Sequence, residues 1–363
     1  MTRPRSGLRR RIGVLGTAFV LAVAGLTAGQ AAQGAAPTAA PTALPRLATS
    51  GTYVTGISSG GYMANQLQVA YSSRIRGAAV VSAGPYWCAM GNVAVALYAC
   101  ADSTVPRDLS LQYAKTAEYE RDGKIDPTAN LARIPTWLFH GSQDPTVKRP
   151  VADDLAAYYR HYGTPLTYQS GIAAGHGWIS PLGPVACGAT AAPYINNCSP
   201  YDAQAESLRV MFGAVKTPNT GKARGTVTEF PQDPYAIPAS PGIGDVTRTG
   251  AAAIGMGSTG YLYTPADCTK RNAGCKVVVA LHGCQQTAEQ IGRTFVEQSN
   301  LNAYADTNRF VVLYPQARPD ATLGNPKGCW DWWGYLGPGD VDYATKRGPQ
   351  MATVMNMVTA LGG

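Results

Sequence analysis

From Thr52 to Ser72 the chain reads TYVTGISSGGYMANQLQVAYS, and this run constrains the fold more than any other. TYVTG is β-prone, and after it Met63, Leu67, Ala70 and Tyr71 fall on one helical face, so a strand turns into a helix within a few residues. Gly56 and Gly60 flank Ser58 where strand and helix pack too closely for side chains. The turn lifts the Ser58 hydroxyl above the sheet and sets a helix N-terminus behind it. Ser59 lacks this frame, because position 57 is isoleucine. With 41 glycines in 363 residues, chance supplies on the order of 0.2 such patterns, so the strand and helix around it, not the pentapeptide alone, make Ser58 the candidate nucleophile.

A serine hydroxyl needs a base, and an imidazole needs an acid to fix its tautomer and stabilise its protonated form. The chain has only 4 histidines. His140 lies in IPTWLFHGSQD, an apolar strand whose Gly-Ser turn delivers Asp144 at the carboxyl end, where open α/β sheets place catalytic groups. VADDLAAYYRHYG then reads as a helix, PLTYQSG as a strand and AAGHGW as a glycine-flanked loop presenting His176. His161 is a helix-surface or packing residue, and His140, only four residues before Asp144 along one strand end, is the weaker alternative to His176 as the base. The order Ser58, Asp144, His176 is that of α/β hydrolases.

Acyl transfer also needs two backbone donors for a developing oxyanion, one of them from a loop after an early strand. Nothing between the N-terminal leader and Ser58 supplies one. CKVVVALHGCQQT does so far downstream, as a continuous apolar strand from Val277 to Leu281 running into His282-Gly283-Cys284, and it resembles the histidine-glycine oxyanion loop of esterases. AEQIGRTFVEQSNLNAYADTNRF then reads as a helix, VVLYPQA as a buried strand and GPQMATVMNMVTAL as an amphipathic segment. This order predicts a circularly permuted α/β-hydrolase fold, a mostly parallel central sheet flanked by helices, with the Pro/Gly-rich stretch 217–255 connecting the two parts of one catalytic domain over 48–363. Two separate domains are the competing arrangement, but neither half carries all the catalytic parts.

Arg3, Arg5, Arg9, Arg10 and Arg11 precede an apolar run over Ile12 to Ala28 and then small residues, so residues 1–36 read as a secretory leader with an Ala/Pro-rich end, cleaved near 31–36. A retained anchor is the competing reading, and a twin-arginine export route is open. Losing five arginines and no acid lowers the net charge from +8 to +3, which leaves no nucleic-acid footprint. Eight cysteines in an exported chain suggest four disulfides. Spacing pairs Cys88 with Cys100, Cys187 with Cys198, and Cys268 with Cys275, leaving Cys284 with Cys329. Zinc ligation is the alternative, although no pair is spaced as C-x-x-C.

GISSGGYMANQL, LFHGSQDPTV, GHGW, GYLYTPADC, LHGCQQT and CWDWW, in this order and over nearly all the chain after residue 48, resemble extracellular poly(3-hydroxybutyrate) depolymerases of the single-domain, circularly permuted type. The resemblance implies hydrolysis of a short-chain polyester to oligomers and monomer. It puts Ser58 on the nucleophile, Asp144 on the acid, His176 on the base and the amides of Ser59 and Cys284 on the oxyanion donors. His282 matches the loop histidine, which is not the base. Trp330, Trp332 and Trp333 are the candidate substrate-binding residues, with core burial the competing reading for each. Family members often add a separate polymer-adsorbing domain, and none is visible here, so adsorption falls to the catalytic domain's own surface. The implied partner is solid or oligomeric polyester. No metal, cofactor, nucleic acid, obligate protein partner or, after leader cleavage, membrane is required. A feruloyl or acetyl xylan esterase on the same fold would carry the same triad. A serine peptidase is a further rival, and a non-catalytic polymer-binding protein would have lost a triad member.

Overall fold

The computed structural model describes residues 42–363 apart from Arg271. The leader expected over 1–36 lies outside the described residues. The first half of the chain runs β1 (Thr49–Ile57), α1 (Ser59–Ala70), β2 (Ile75–Val81), α2 (Val93–Tyr98), α3 (Leu109–Arg121), β3 (Thr136–Phe139), α4 (Arg149–His161) and β4 (Leu166–Gln169). A small sheet of β5 (Trp178–Ile179), β6 (Val185–Ala186) and β7 (Ile195–Asn197) and then α5 (Ala203–Phe212) follow. The second half supplies β8 (Thr226–Pro231), β9 (Thr259–Thr264), β10 (Cys275–Leu281), α6 (Ala288–Ile291), α7 (Thr294–Gln298), α8 (Leu301–Asn308), β11 (Phe310–Tyr314) and α9 (Pro349–Ala360).

Eight strands form one sheet in the order β4-β3-β2-β1-β10-β11-β9-β8. The six from β4 to β11 are parallel, and β9 and β8 close the edge antiparallel. The late strands β8 to β11 all stand on one side of β1 and the early strands β2 to β4 on the other. The half of the sheet that carries the Gly283–Cys284 loop is thus encoded after the half that carries Ser58, which is the permuted order predicted above. The end of α9 lies beside the approach to β1, where Leu47 N donates to Leu361 O at 3.0 Å. An unpermuted chain would run on there. The stretch 217–255 contributes edge strand β8 and short 3-10 turns.

Both faces of the sheet are covered, which is why its central strands are apolar without alternation. Val277, Val279 and Leu281 of β10 join one core with Met63 and Leu67 of α1, Leu155 of α4 and Met351 and Val354 of α9. Val278 and Ala280 point the other way, into a second core with Leu208 of α5 and Leu301 and Ala305 of α8. The segment from Ala288 to Asn308, expected as one helix, is three. Gly292 at φ 61° and Asn300 at φ 65° take the left-handed conformation and break the helical ladder twice.

All eight cysteines pair as their spacing predicts: Cys88–Cys100, Cys187–Cys198, Cys268–Cys275 and Cys284–Cys329. This removes the zinc reading for those thiols. No helix among the described residues is long and apolar enough to cross a membrane.

Candidate active site

Register brings the site together. Gly56 of β1 pairs with Leu281 of β10 and with Val80 of β2, and Val81 pairs with Phe139 of β3. The loops after Ile57, Phe139 and Leu281 therefore emerge from the same sheet edge. Ser58 occupies the turn at φ 55° and ψ −124°, a sparsely populated conformation that costs about 1–3 kcal/mol and is held by its surroundings. Its amide donates to Val81 O and its carbonyl accepts from Tyr62 N, both at 2.9 Å. A Cβ on Gly56 would lie 2.1 Å from the Gly60 carbonyl oxygen, and one on Gly60 would lie 2.3 Å from that of Leu281. The glycines therefore let α1 close onto both β1 and β10, which carries the Ser58 turn up to the Gly283–Cys284 loop.

Asp144 and His176 arrive from different strands. Gly141 makes the Asp144 turn possible, since a Cβ there would meet Ala174 O at 2.2 Å, and Gly175 and Gly177 run equally close to Ala189 O and Asn196 Oδ1. His176 Nδ1 donates to Asp144 Oδ2 at 2.8 Å, while Asp144 Oδ1 accepts from the amides of Thr146 at 2.8 Å and Val147 at 3.0 Å. Burial opposes the Asp144 charge, but the hydrogen bond and charge of His176 together with the Val147 amide outweigh it and hold the carboxyl below the usual range. His176 N donates to Thr190 Oγ1 at 2.8 Å, which ties the histidine loop to the segment closed by Cys187–Cys198. The other histidines are elsewhere: His140 is buried against Val147 O at 2.8 Å, and His161 stacks on Tyr113 with ring centroids 3.9 Å apart.

The Gly283–Cys284 loop is fixed from several sides. His282 is fully buried, with Nδ1 donating to Gly283 O at 2.7 Å and Nε2 accepting from Ala317 N at 3.1 Å. Burial pushes its pKa down to about 4, against the smaller opposing effect of the Gly283 carbonyl, so it is a neutral structural imidazole. Ser58 N, Gly283 N and Gln285 N are committed to Val81 O, Gln286 Oε1 and Lys327 O. The amides of Ser59 and Cys284, between them, have no acceptor among the described residues.

Ser58, Ser59, His176, Gly283 and Cys284 line one cavity of about 550 Å³. Trp332 and Trp333 form part of its wall, and Trp332 stacks on Tyr62 with centroids 3.9 Å apart. Trp330, expected with them, does not reach the cavity. It is fully buried, its indole N–H donating to His282 O at 3.0 Å, so the CWDWW segment turns one ring into the core and two toward the opening. Sequence reasoning missed Tyr62, Gln286 and helix α2. Val93 and Leu97 of α2 stand at the cavity mouth and are 54% and 53% exposed. A signal for α2 existed, since no charged residue occurs between Arg76 and Asp102.

The sequence model described as Esterase PHB depolymerase matches residues 260–361, the part of the chain that builds β9 to α9. A polyhydroxybutyrate depolymerase of Talaromyces funiculosus is 35% identical over 320 residues, covering 84% of this chain and 87% of that protein. The chain belongs to the PHB depolymerase family. Another relative, a poly(3-hydroxybutyrate) depolymerase of Delftia acidovorans, is 36% identical over 312 residues, 85% of this chain but 58% of that protein's length. Among solved structures, a PHB depolymerase with a serine replaced by alanine, complexed with an R3HB trimer, superposes with a TM-score of 0.77 at 32% identity. The PHB depolymerase from Penicillium funiculosum gives 0.76 at 33%. Both cover 88% of this chain and 98% of their own. The two PHB depolymerase relatives align across both halves, whereas the family's sequence model follows only one side of the permutation break.

Proposed function

We propose that this chain is a secreted serine esterase that hydrolyses poly(3-hydroxybutyrate), or a related short-chain polyhydroxyalkanoate, to oligomers and 3-hydroxybutyrate. The observation that carries the reading is the 2.8 Å His176–Asp144 hydrogen bond opening onto a cavity shared with Ser58 and two uncommitted amides. With Nδ1 held by Asp144, His176 Nε2 takes the Ser58 proton as the serine oxygen bonds to the ester carbonyl carbon. The carbonyl electron pair moves onto oxygen and rests on the Ser59 and Cys284 amides. As the pair returns, the C–O bond to the alcohol end breaks, and that oxygen takes the proton from His176. Water deprotonated by His176 then hydrolyses the acyl-serine, releasing the acid and free Ser58.

The substrate class follows from the walls. Among the described residues lining the cavity, Lys327 is the only lysine, arginine, aspartate or glutamate, and Trp332, Trp333, Val93 and Leu97 give it an apolar surface suited to a neutral polyester. The exposed α2 face at the mouth supplies a contact surface for solid polymer. Four disulfides support export to an oxidising compartment, and residues 48–363 form the catalytic domain in this reading, with 217–255 joining its halves.

The test is to add the protein and its Ser58→Ala variant to turbid poly(3-hydroxybutyrate) and identify the soluble products. Clearing with release of 3-hydroxybutyrate oligomers is expected from the parent, and a loss of roughly 10⁴ to 10⁶-fold from the variant. Acetate or ferulate released from xylan, with no clearing of the polyester, would assign a different esterase. Near-normal turnover by Ser58→Ala would remove the mechanism.

A further inference from the structure

One buried side chain joins the two loops that the reaction must keep in register. Gln286 is 1% exposed. Its Oε1 accepts from Gly283 N at 2.7 Å, and its backbone N donates to Gly283 O at 3.3 Å, so residues 283–286 form a turn closed by both main chain and side chain, with Gln285 at φ 62°. Cys284, which lines the cavity, lies inside that turn. From the same side chain, Nε2 donates to Pro193 O at 2.9 Å and Tyr194 O at 3.0 Å. Tyr194 O also accepts from Trp178 N at 2.8 Å, two residues beyond His176. A single carbonyl is therefore shared between the clamp on the oxyanion loop and the strand leaving the histidine.

We propose that Gln286 is a positioning residue that locks the Cys284 amide in register with His176 and Ser58. The inference rests on the acyl-serine reading above. Gln286 is not itself an oxyanion donor, because both hydrogens of its amide are consumed by the two carbonyls. Its effect on rate passes through the loop it holds, and a displacement of about 1 Å there is enough to cost on the order of 10²-fold.

The test compares Gln286→Met, which removes every side-chain hydrogen bond of the clamp, with Gln286→Glu, which keeps the volume and the acceptor for Gly283 N but loses the donors to Pro193 and Tyr194. Hydrolysis of a soluble p-nitrophenyl ester is measured per titrated active site, together with melting temperature and affinity for butylboronic acid, which forms a tetrahedral adduct on the serine. Both variants are expected to lose kcat by roughly 10 to 100-fold with KM within about threefold, and boronate affinity should fall in parallel. The ratio of Gln286→Glu to parent should recover toward lower pH, where the new carboxyl regains a proton to donate. A merely structural role would instead reduce the number of titratable sites at unchanged kcat per site, and that result, or a kcat within threefold of the parent in either folded variant, overturns the proposal. Ser58→Ala in the same assays separates the two ideas. If it is inert while the Gln286 variants are normal, only the positioning role falls; if it is active, the acyl-serine reading falls and takes the positioning role with it.

Discussion

Two histidines of this chain show how surroundings divide one residue type between roles. His282, sealed between the Gly283 carbonyl and the Ala317 amide, is held neutral with its pKa near 4, whereas His176 faces a carboxylate on one nitrogen and the cavity on the other side. The Asp144 carboxylate selects the tautomer that leaves His176 Nε2 unprotonated. Asp144→Asn would offer an N–H to Nδ1 instead and favour the other tautomer, so kcat on a soluble ester should fall roughly 10³ to 10⁴-fold while the melting curve stays close to the parent's. A loss below tenfold would mean that the carboxylate does not orient the base. Ser58, Asp144 and His176 were legible because each sits beside glycines whose spacing reports a close backbone approach. Gln286 was not, because its partners Pro193 and Tyr194 lie 93 and 92 positions away.

Helix α2 shows what six residues can do when they are pinned. Asn92 caps it, accepting from Ala94 N at 2.8 Å and Val95 N at 3.3 Å, Cys88–Cys100 spans it, and Arg107 Nη1 donates to Ala99 O at 2.7 Å. So short a helix would not persist alone. Held this way, it presents Val93 and Leu97 to solvent at the mouth of the cavity. If that face meets the polymer, burying the two half-exposed side chains contributes on the order of 2 kcal/mol. The double variant Val93→Ser, Leu97→Ser should therefore adsorb at least about tenfold more weakly to polyester granules, with less than a twofold change in kcat on a short soluble ester. Equal depletion of parent and variant from suspension would rule out α2 as the contact. The broken helices over 288–308 teach the converse. Residue periodicity there is helical throughout, but Asn300 turns left-handed with Ser299 anchored between Tyr314 and the Trp178 indole, contacts that no local pattern announces.

Across the molecule, buried ionisable groups set opposing limits on stability. His282 falls from 6.5 to about 4 on folding. The folded state binds fewer protons than the unfolded chain in that window, so stability is lost as pH drops from about 6.5 toward 4, by about 3 kcal/mol. Asp144, held below its usual range, adds to the acid-side loss. Asp340 works in the other direction: burial and the neighbouring Asp331 charge push it up to about 10, and burial raises Asp331 as well. Here the folded state keeps a proton that the unfolded chain has released, and stability is lost as pH rises from about 4 toward 10. Asp331 Oδ1 accepts from Gly334 N at 2.7 Å and Tyr335 N at 3.0 Å, so the pair supports the turn carrying Trp332 and Trp333. Asp340→Asn should match the parent's melting temperature near pH 4 and exceed it by several degrees at pH 9. Parallel melting curves for the two proteins from pH 4 to 9 would show that Asp340 titrates normally.

By itself the sequence determined the strand, turn and helix around Ser58, the order of the candidates Ser58, Asp144 and His176 along the chain, the four disulfides and the permuted architecture. The first and third of these are written in local spacing, in glycines beside a turn and in short cysteine intervals, and the others in the order in which strand and loop motifs follow one another along the chain. Tertiary structure alone decided that Trp330 would face His282 instead of the cavity, that α2 would border its mouth, and that Gln286 would bridge two loops. Those outcomes depend on which distant carbonyl or ring occupies the space beside a side chain, and only the sheet register, bringing Leu281, Gly56 and Val80 side by side, supplies that neighbour.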